Sequence, residues 1–247
     1  MIRDGAEKAD GRITSVLMVG QSNMAGRGMY GVVEPIVNPR CHMLRMGRWQ
    51  LMSEPINPDR AIFKDEMYSG IGLGASFADA LQKHLGRDVG LIPCADGGTR
   101  LAQWMPGEIL FDHAVMMAQL AMRTSELGGI IWHQGESDWV RGQDIGSYAR
   151  DLITMLTALR RELGAEGLPL VLGELSTETD QSRHHLGNWP ELVNAALPDI
   201  AKALPNCAVA SAEGLHIQSD GIHFDSPSYR KLGIRYYEKF ISLIYGG

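Results

Sequence analysis

The chain has 247 residues, 45% hydrophobic and 21% charged, which describes an ordinary globular protein with a sizeable core and excludes a disordered one. Its formal net charge of -6, with no cluster of Lys and Arg, argues against a nucleic-acid partner, because phosphate binding draws on such clusters. Three widely spaced cysteines, Cys41, Cys94 and Cys207, make neither a CxxC metal pattern nor a disulfide framework and fit a reducing compartment. The segment Met1 to Asp10 is polar and mixed in charge, unlike a secretory signal, and no apolar run is long enough to cross a bilayer. A cytoplasmic protein with no membrane partner, folded as a single domain over residues 1–247, is the expectation.

In chain order, short apolar runs alternate with longer amphipathic ones, the pattern of a parallel sheet covered by helices on both faces. Strands are predicted at Ser15 to Val19, Val89 to Pro93, Gly129 to His133, Leu168 to Gly173 and Cys207 to Ala210. Helices are predicted at Gly74 to Leu85, closed by Gly86, then at Leu110 to Leu127 and Gly146 to Leu163. A last helix is predicted from an N-cap at Ser226 with Pro227 in its first turn to about Leu243. Residues Met29 to Ile71 hold scattered Pro, Gly and Met with weak periodicity and read as a long loop with one strand around His42 to Arg45.

Four segments fall at or just after predicted strand ends, where open α/β sheets gather their ligand-binding loops. Gly20-Gln21-Ser22-Asn23-Met24 follows Val16 to Val19, so Ser22 is a candidate nucleophile; the plainer reading makes it an N-cap. Asp220 and His223 stand three residues apart, a spacing at which a short turn can hold a carboxylate against one imidazole nitrogen. Trp132-His133-Gln134-Gly135-Glu136-Ser137-Asp138 offers a side-chain amide donor in Gln134 and a carboxylate in Glu136. Ala95-Asp96-Gly97-Gly98-Thr99 supplies paired glycines whose backbone can approach a ligand closely. Core packing does not require all four at strand ends.

Together the four blocks resemble the sialate O-acetylesterase and acetylxylan esterase family, carbohydrate esterase family 6, within the SGNH hydrolases, from Val16 to about Tyr237. The resemblance implies a flavodoxin-like fold with about five parallel strands in the order 2-1-3-4-5. It implies Ser22 as nucleophile, His223 as base and Asp220 as the base's partner, with the oxyanion hole made by the Ser22 and Gly98 N–H groups and the Gln134 side chain. Gln21, Asn23, Gly97, Thr99 and Glu136 take supporting places, and no metal or organic cofactor is required. The implied substrate is an O-acetyl ester of a xylan-type oligosaccharide or of a sialate-like sugar. Arg100, Trp104 and Trp139 follow the site motifs closely and are candidates to line its pocket, the tryptophans offering flat faces to sugar rings. An α/β-hydrolase is disfavoured, since its nucleophile elbow carries a second glycine where Met24 stands and lies deep in the chain.

Two other classes are open to the same residues. A metal-dependent hydrolase would use His216, Asp220, His223 and Asp225 as ligands, but leaves the Ser22 block without a purpose. A carbohydrate-binding module without catalysis would keep the fold, yet every reactive position is filled.

Overall fold

The computed structural model describes residues 12–57, 69–139 and 144–245. At its centre is β1 (Ile13–Gly20), buried from Thr14 onward because both its faces are covered. Leu17 and Val19 pack with Trp132 and Leu172 on one side, whereas Val16 and Met18 pack with Ile131 and Val171 on the other. This alternation is the two-residue period of a strand, and it divides the core into two layers.

Flanking β1 are β2 (Cys41–Arg45), β3 (Arg48–Leu51), β4 (Val89–Pro93), β5 (Ser125–His133), β6 (Leu170–Gly173) and β7 (Cys207–Ala210). They form one sheet in the order β3-β2-β4-β1-β5-β6-β7, parallel except for the antiparallel β2–β3 pair. Numbered among themselves, the five strands expected from the sequence lie in the order 2-1-3-4-5. Helices α2 (Leu73–Leu85) and α7 (Ser226–Tyr245) cover one face; α3 (Ile109–Ala121), α4 (Ile145–Glu162) and α6 (Trp189–Ala203) cover the other. Single turns α1 (Ser22–Ala25) and α5 (Gln181–His184) lie at the carboxyl edge of the sheet. This is the flavodoxin-like architecture expected; among the described residues the sheet adds to the five parallel strands β2, expected around His42 to Arg45, and β3, which was not. No described helix is long and apolar enough to cross a membrane.

The differences from the sequence reading have local causes. The strand expected around His42 to Arg45 is present as β2, but it is paired in a hairpin with the unexpected β3, turned at Met46 and Gly47 with φ of 51° and 75°. Two consecutive left-handed residues match the twist of a tight hairpin. Because β3 is almost wholly exposed, it shows no alternation to read. Residues 58–68 of that region lie outside the described ones. The helix predicted to run to Leu127 stops at Ala121, because Ser125 to Leu127 pair with Ile13 to Ser15 instead. α6 was not anticipated as an element: Pro198 interrupts its pattern, although the helix continues through it. Asp225, rather than Ser226, caps α7, its Oδ1 accepting the Ser228 N–H at 2.8 Å.

The insertion between α1 and α2 is tied down by a half-buried ion pair, Arg230 Nη1 to Glu54 Oε1 at 2.8 Å and Nη2 to Oε2 at 2.5 Å. Its later part reaches the end of β4, where Asn57 Nδ2 donates to the Ala95 carbonyl at 2.8 Å and the Ala95 N–H returns to Asn57 Oδ1 at 3.1 Å.

Candidate active site

Where β1 ends, Gly20 has φ +132°, and a Cβ there would stand 2.1 Å from the His133 carbonyl oxygen. Only glycine lets the chain turn this close against β5. The turn is pinned on both sides: the Gln21 N–H donates to His133 O at 2.9 Å, and the Asp96 N–H donates to Gly20 O at 2.9 Å. Ser22 is the first residue of α1, and Gln21 holds the cap position without a side-chain cap bond. The Ser22 hydroxyl therefore does not cap; it lies 2.9 Å from His223 Nε2.

His223 comes from the loop before α7, and its Nδ1 sits 2.7 Å from Asp220 Oδ2. The other carboxylate oxygen, Oδ1, accepts the Ile222 and His223 N–H groups at 3.1 and 3.0 Å, which folds the loop around the aspartate. Partial burial alone would raise the Asp220 carboxyl, but the hydrogen bond from the His223 ring and those from the two backbone amides hold it well below the usual carboxylate range. An ionised Asp220 takes a proton-bearing Nδ1, so the lone pair of Nε2 is the one that faces Ser22. Two residues without an expected role support this loop. Gln218 Nε2 donates to Asp220 Oδ2 at 2.8 Å, and His184 Nε2 donates to the Asp220 carbonyl at 2.8 Å. Gln218 stands near enough in sequence to have been noticed; His184, 36 residues away, leaves no local signal.

Asn23 joins the first block to the last. Its Oδ1 accepts from Tyr229 Oη at 2.6 Å and from the Phe224 N–H at 3.3 Å, and its Nδ2 donates to Glu136 Oε1 at 2.6 Å and to Ile222 O at 3.4 Å. Asn23 thus grips the residues on either side of His223. His133, fully buried, donates through Nδ1 to Tyr236 Oη at 3.0 Å, and that hydroxyl donates onward to Trp132 O at 2.8 Å. Burial lowers the His133 imidazole from its ordinary value, against the pull of Glu136.

On the other side of Ser22 stands the loop after β4. Gly98 is left-handed at φ +71°. Among the described residues, neither the Ser22 nor the Gly98 N–H is taken by a protein acceptor. Gln134 is 2% exposed, and its Nε2 donates to Asp138 Oδ2, to Thr99 O at 3.1 Å and, more weakly, to Gln21 Oε1 at 3.3 Å. Tyr148 Oη donates to the Gln134 carbonyl at 2.8 Å. Gln21 Oε1 also receives the Ser137 N–H at 3.4 Å, so the three loops after β1, β4 and β5 are laced together.

The candidates for the pocket part company here. Trp104 is 1% exposed, bonded through Nε1 to Thr99 Oγ1 at 3.0 Å and packed edge-on against Trp132. It is a core residue and offers no face to a sugar, which corrects the expectation. Arg100 and Trp139 are half-buried, and Trp139 donates its Nε1 to the His185 carbonyl. The ligand set of the metal reading is otherwise engaged: His216 pairs with Glu178 at 3.2 Å, and Asp225 caps α7. No group of three or more His, Cys, Asp or Glu among the described residues is arranged to hold a metal ion.

These loops gather at the carboxyl edge of a flavodoxin-like sheet, and the family match makes the chain a carboxylic ester hydrolase. The chain belongs to the family described as carbohydrate esterase, sialic acid-specific acetylesterase, whose model matches residues 13–242. It is 29% identical over 245 residues to a probable carbohydrate esterase of Arabidopsis thaliana, At4g34215, covering 92% of this chain and 89% of that one. The crystal structure of the Arabidopsis protein superposes with a TM-score of 0.82 at 26% identity, over 94% of this chain and 98% of that one. The carbohydrate acetylesterase XAC1771 of Xanthomonas citri shares the fold at 19% identity and a TM-score of 0.63, over 95% of this chain and 57% of that one. So does Est24, a carbohydrate acetylesterase of Sinorhizobium meliloti, at 14% identity and a TM-score of 0.56, over 93% and 99%.

Proposed function

We propose that this protein is a serine esterase that removes acetyl groups from carbohydrate hydroxyls through an acetyl-serine intermediate. The observation that carries the reading is the chain of contacts from Ser22 Oγ to His223 Nε2 at 2.9 Å and from His223 Nδ1 to Asp220 Oδ2 at 2.7 Å. In the first half-reaction Nε2 takes the hydroxyl proton as Oγ adds to the ester carbonyl, giving a tetrahedral oxyanion. Its collapse breaks the bond to the sugar oxygen, which leaves as an alcohol with the proton returned by His223. Water, deprotonated by the same nitrogen, then attacks the acetyl-serine and releases acetate. Asp220 keeps the ring oriented and stabilises its protonated form.

Oxyanion stabilisation falls to the Ser22 and Gly98 N–H groups, which have no protein acceptor among the described residues. Gln134 is the third donor: one of its two Nε2 hydrogens stays on Asp138, and the other, shared between the Thr99 carbonyl at 3.1 Å and Gln21 Oε1 at 3.3 Å, is the one that turns to the oxyanion. The substrates we propose are acetylated xylo-oligosaccharides or sialate-like sugars, the latter supported by the sialic acid-specific family description, with Arg100 and Trp139 proposed at the edge of the pocket. The cytoplasm is the proposed site of action, in keeping with three free thiols.

Acetate release from p-nitrophenyl acetate, acetylated xylo-oligosaccharides and an O-acetylated sialic acid tests the reading. Ser22→Ala and His223→Ala are each expected to lower kcat by at least about 10,000-fold. Full activity in both would end it.

A further inference from the structure

Asp138 is 1% exposed, an unusual place for a carboxylate that no expected role employs. Its two oxygens accept the Leu101 N–H at 3.1 and 3.2 Å, and Oδ2 also receives Gln134 Nε2. Leu101 opens the short 3-10 turn Leu101–Trp104 directly after Gly97-Gly98-Thr99 and Arg100. The Thr99 carbonyl binds the same Gln134 amide at 3.1 Å. One buried carboxylate therefore touches both the loop that carries Gly98 and the side chain of Gln134.

We propose that Asp138 is a positioning residue of the oxyanion hole: by holding the Leu101 N–H and the Gln134 amide together, it fixes how far apart Gly98 and Gln134 stand around the reacting carbonyl. This rests on the serine-esterase reading above. An ionised Asp138 only accepts hydrogen bonds, which suits two donors that point at it. Once protonated, it presents a hydroxyl to a donor, and one of the two contacts is lost. The charged and titratable groups that face it are Arg100 before the 3-10 turn, Glu136 on its own loop and Tyr148 on α4. Burial pushes the carboxyl up to about 6, against the donors Gln134 and Leu101 and the Arg100 charge, while Glu136 adds to the rise.

The test compares wild type, Asp138→Asn and Ser22→Ala on p-nitrophenyl acetate from pH 5 to 8. Misplacing oxyanion donors is expected to lower kcat of Asp138→Asn about 10- to 100-fold at pH 8 with KM within about twofold. Inhibition by methylboronic acid, which forms a tetrahedral adduct on the serine, is expected to weaken by the same factor. The ratio of wild-type to Asp138→Asn kcat should then shrink several-fold as pH falls below about 6. Titration of the base is common to both proteins and cancels in that ratio, so a merely structural role for Asp138 leaves it flat. If Asn is not tolerated, Asp138→Ser, which leaves room for water, must show the same pH-dependent ratio. A flat ratio, a loss confined to KM, or failure of both variants to fold would overturn the proposal. Activity in Ser22→Ala would remove the serine reading as well, whereas an inert Ser22→Ala beside a fully active Asp138→Asn removes this one alone.

Discussion

The two sides of Ser22 are built differently. On the base side, the Asp220 and His223 side chains are 41% and 21% exposed, and their loop is held by hydrogen bonds from Gln218, His184 and Asn23. On the oxyanion side, Thr99, Gln134 and Asp138 are all 2% exposed or less and bind one another. A partly solvated carboxylate beside an imidazole stays ionised and is screened by water; a dry one pays for its charge in stability. The base side is thus arranged for proton transfer with little cost to folding, and the other for rigidity.

Substituting the two aspartates breaks the comparison most sharply. Asp220→Asn is expected to lower kcat by about 1,000- to 10,000-fold, because the amide no longer enforces the tautomer that presents a lone pair to Ser22, while its thermal midpoint falls only by the solvent-screened stabilisation that the ionised carboxylate supplies. Steady-state kinetics and a melting curve on the same sample check it; a large loss of stability with modest loss of rate would reverse the contrast.

The pH dependence of stability sharpens it next, because the two carboxylates act with opposite sign. Asp220 is held below its ordinary value, so its contribution is present above about pH 4 and disappears as pH falls through its lowered folded value. Asp138 is raised from 3.8 to about 6, so folding favours its protonated form, and stability declines as pH rises between those values, by about 3 kcal/mol in all. Thermal midpoints of wild type and Asp138→Asn between pH 4 and 8 are expected to draw together as pH increases through that window. Curves that separate instead would contradict the assignment.

The smallest expected effect tests the link between the sides. Tyr229→Phe removes one of the two donors to Asn23 Oδ1 and leaves the Phe224 N–H in place. A destabilisation of about 1 kcal/mol and a few-fold drop in kcat are expected, measured by urea unfolding and initial rates.

Legibility in the sequence followed the same division between local and distant. Strands β1, β4, β5 and β6 announced themselves as apolar runs because both their faces are covered, and the half-buried edge strand β7 did so more faintly. β3 gave little sign because only Trp49 of its four residues packs against the core, and α6 hid behind Pro198. In the site, Ser22, Asp220 and His223 stood out by motif and spacing. Asp138 was visible within its motif, yet nothing in the motif tells that its carboxylate reaches Leu101, 37 residues back. Trp104 misled for a similar reason: adjacency to Gly98 and Thr99 in sequence carries no information about which way an indole faces.

Asn23 holds the backbone on both sides of residue 223 from a point some 200 positions earlier in the chain. Closing so long a loop is slow and entropically expensive, and it gains nothing until the intervening strands are in place. Recovery of hydrolysis after dilution from denaturant should accordingly lag behind the return of secondary structure, making turnover a reporter of the last step in assembly.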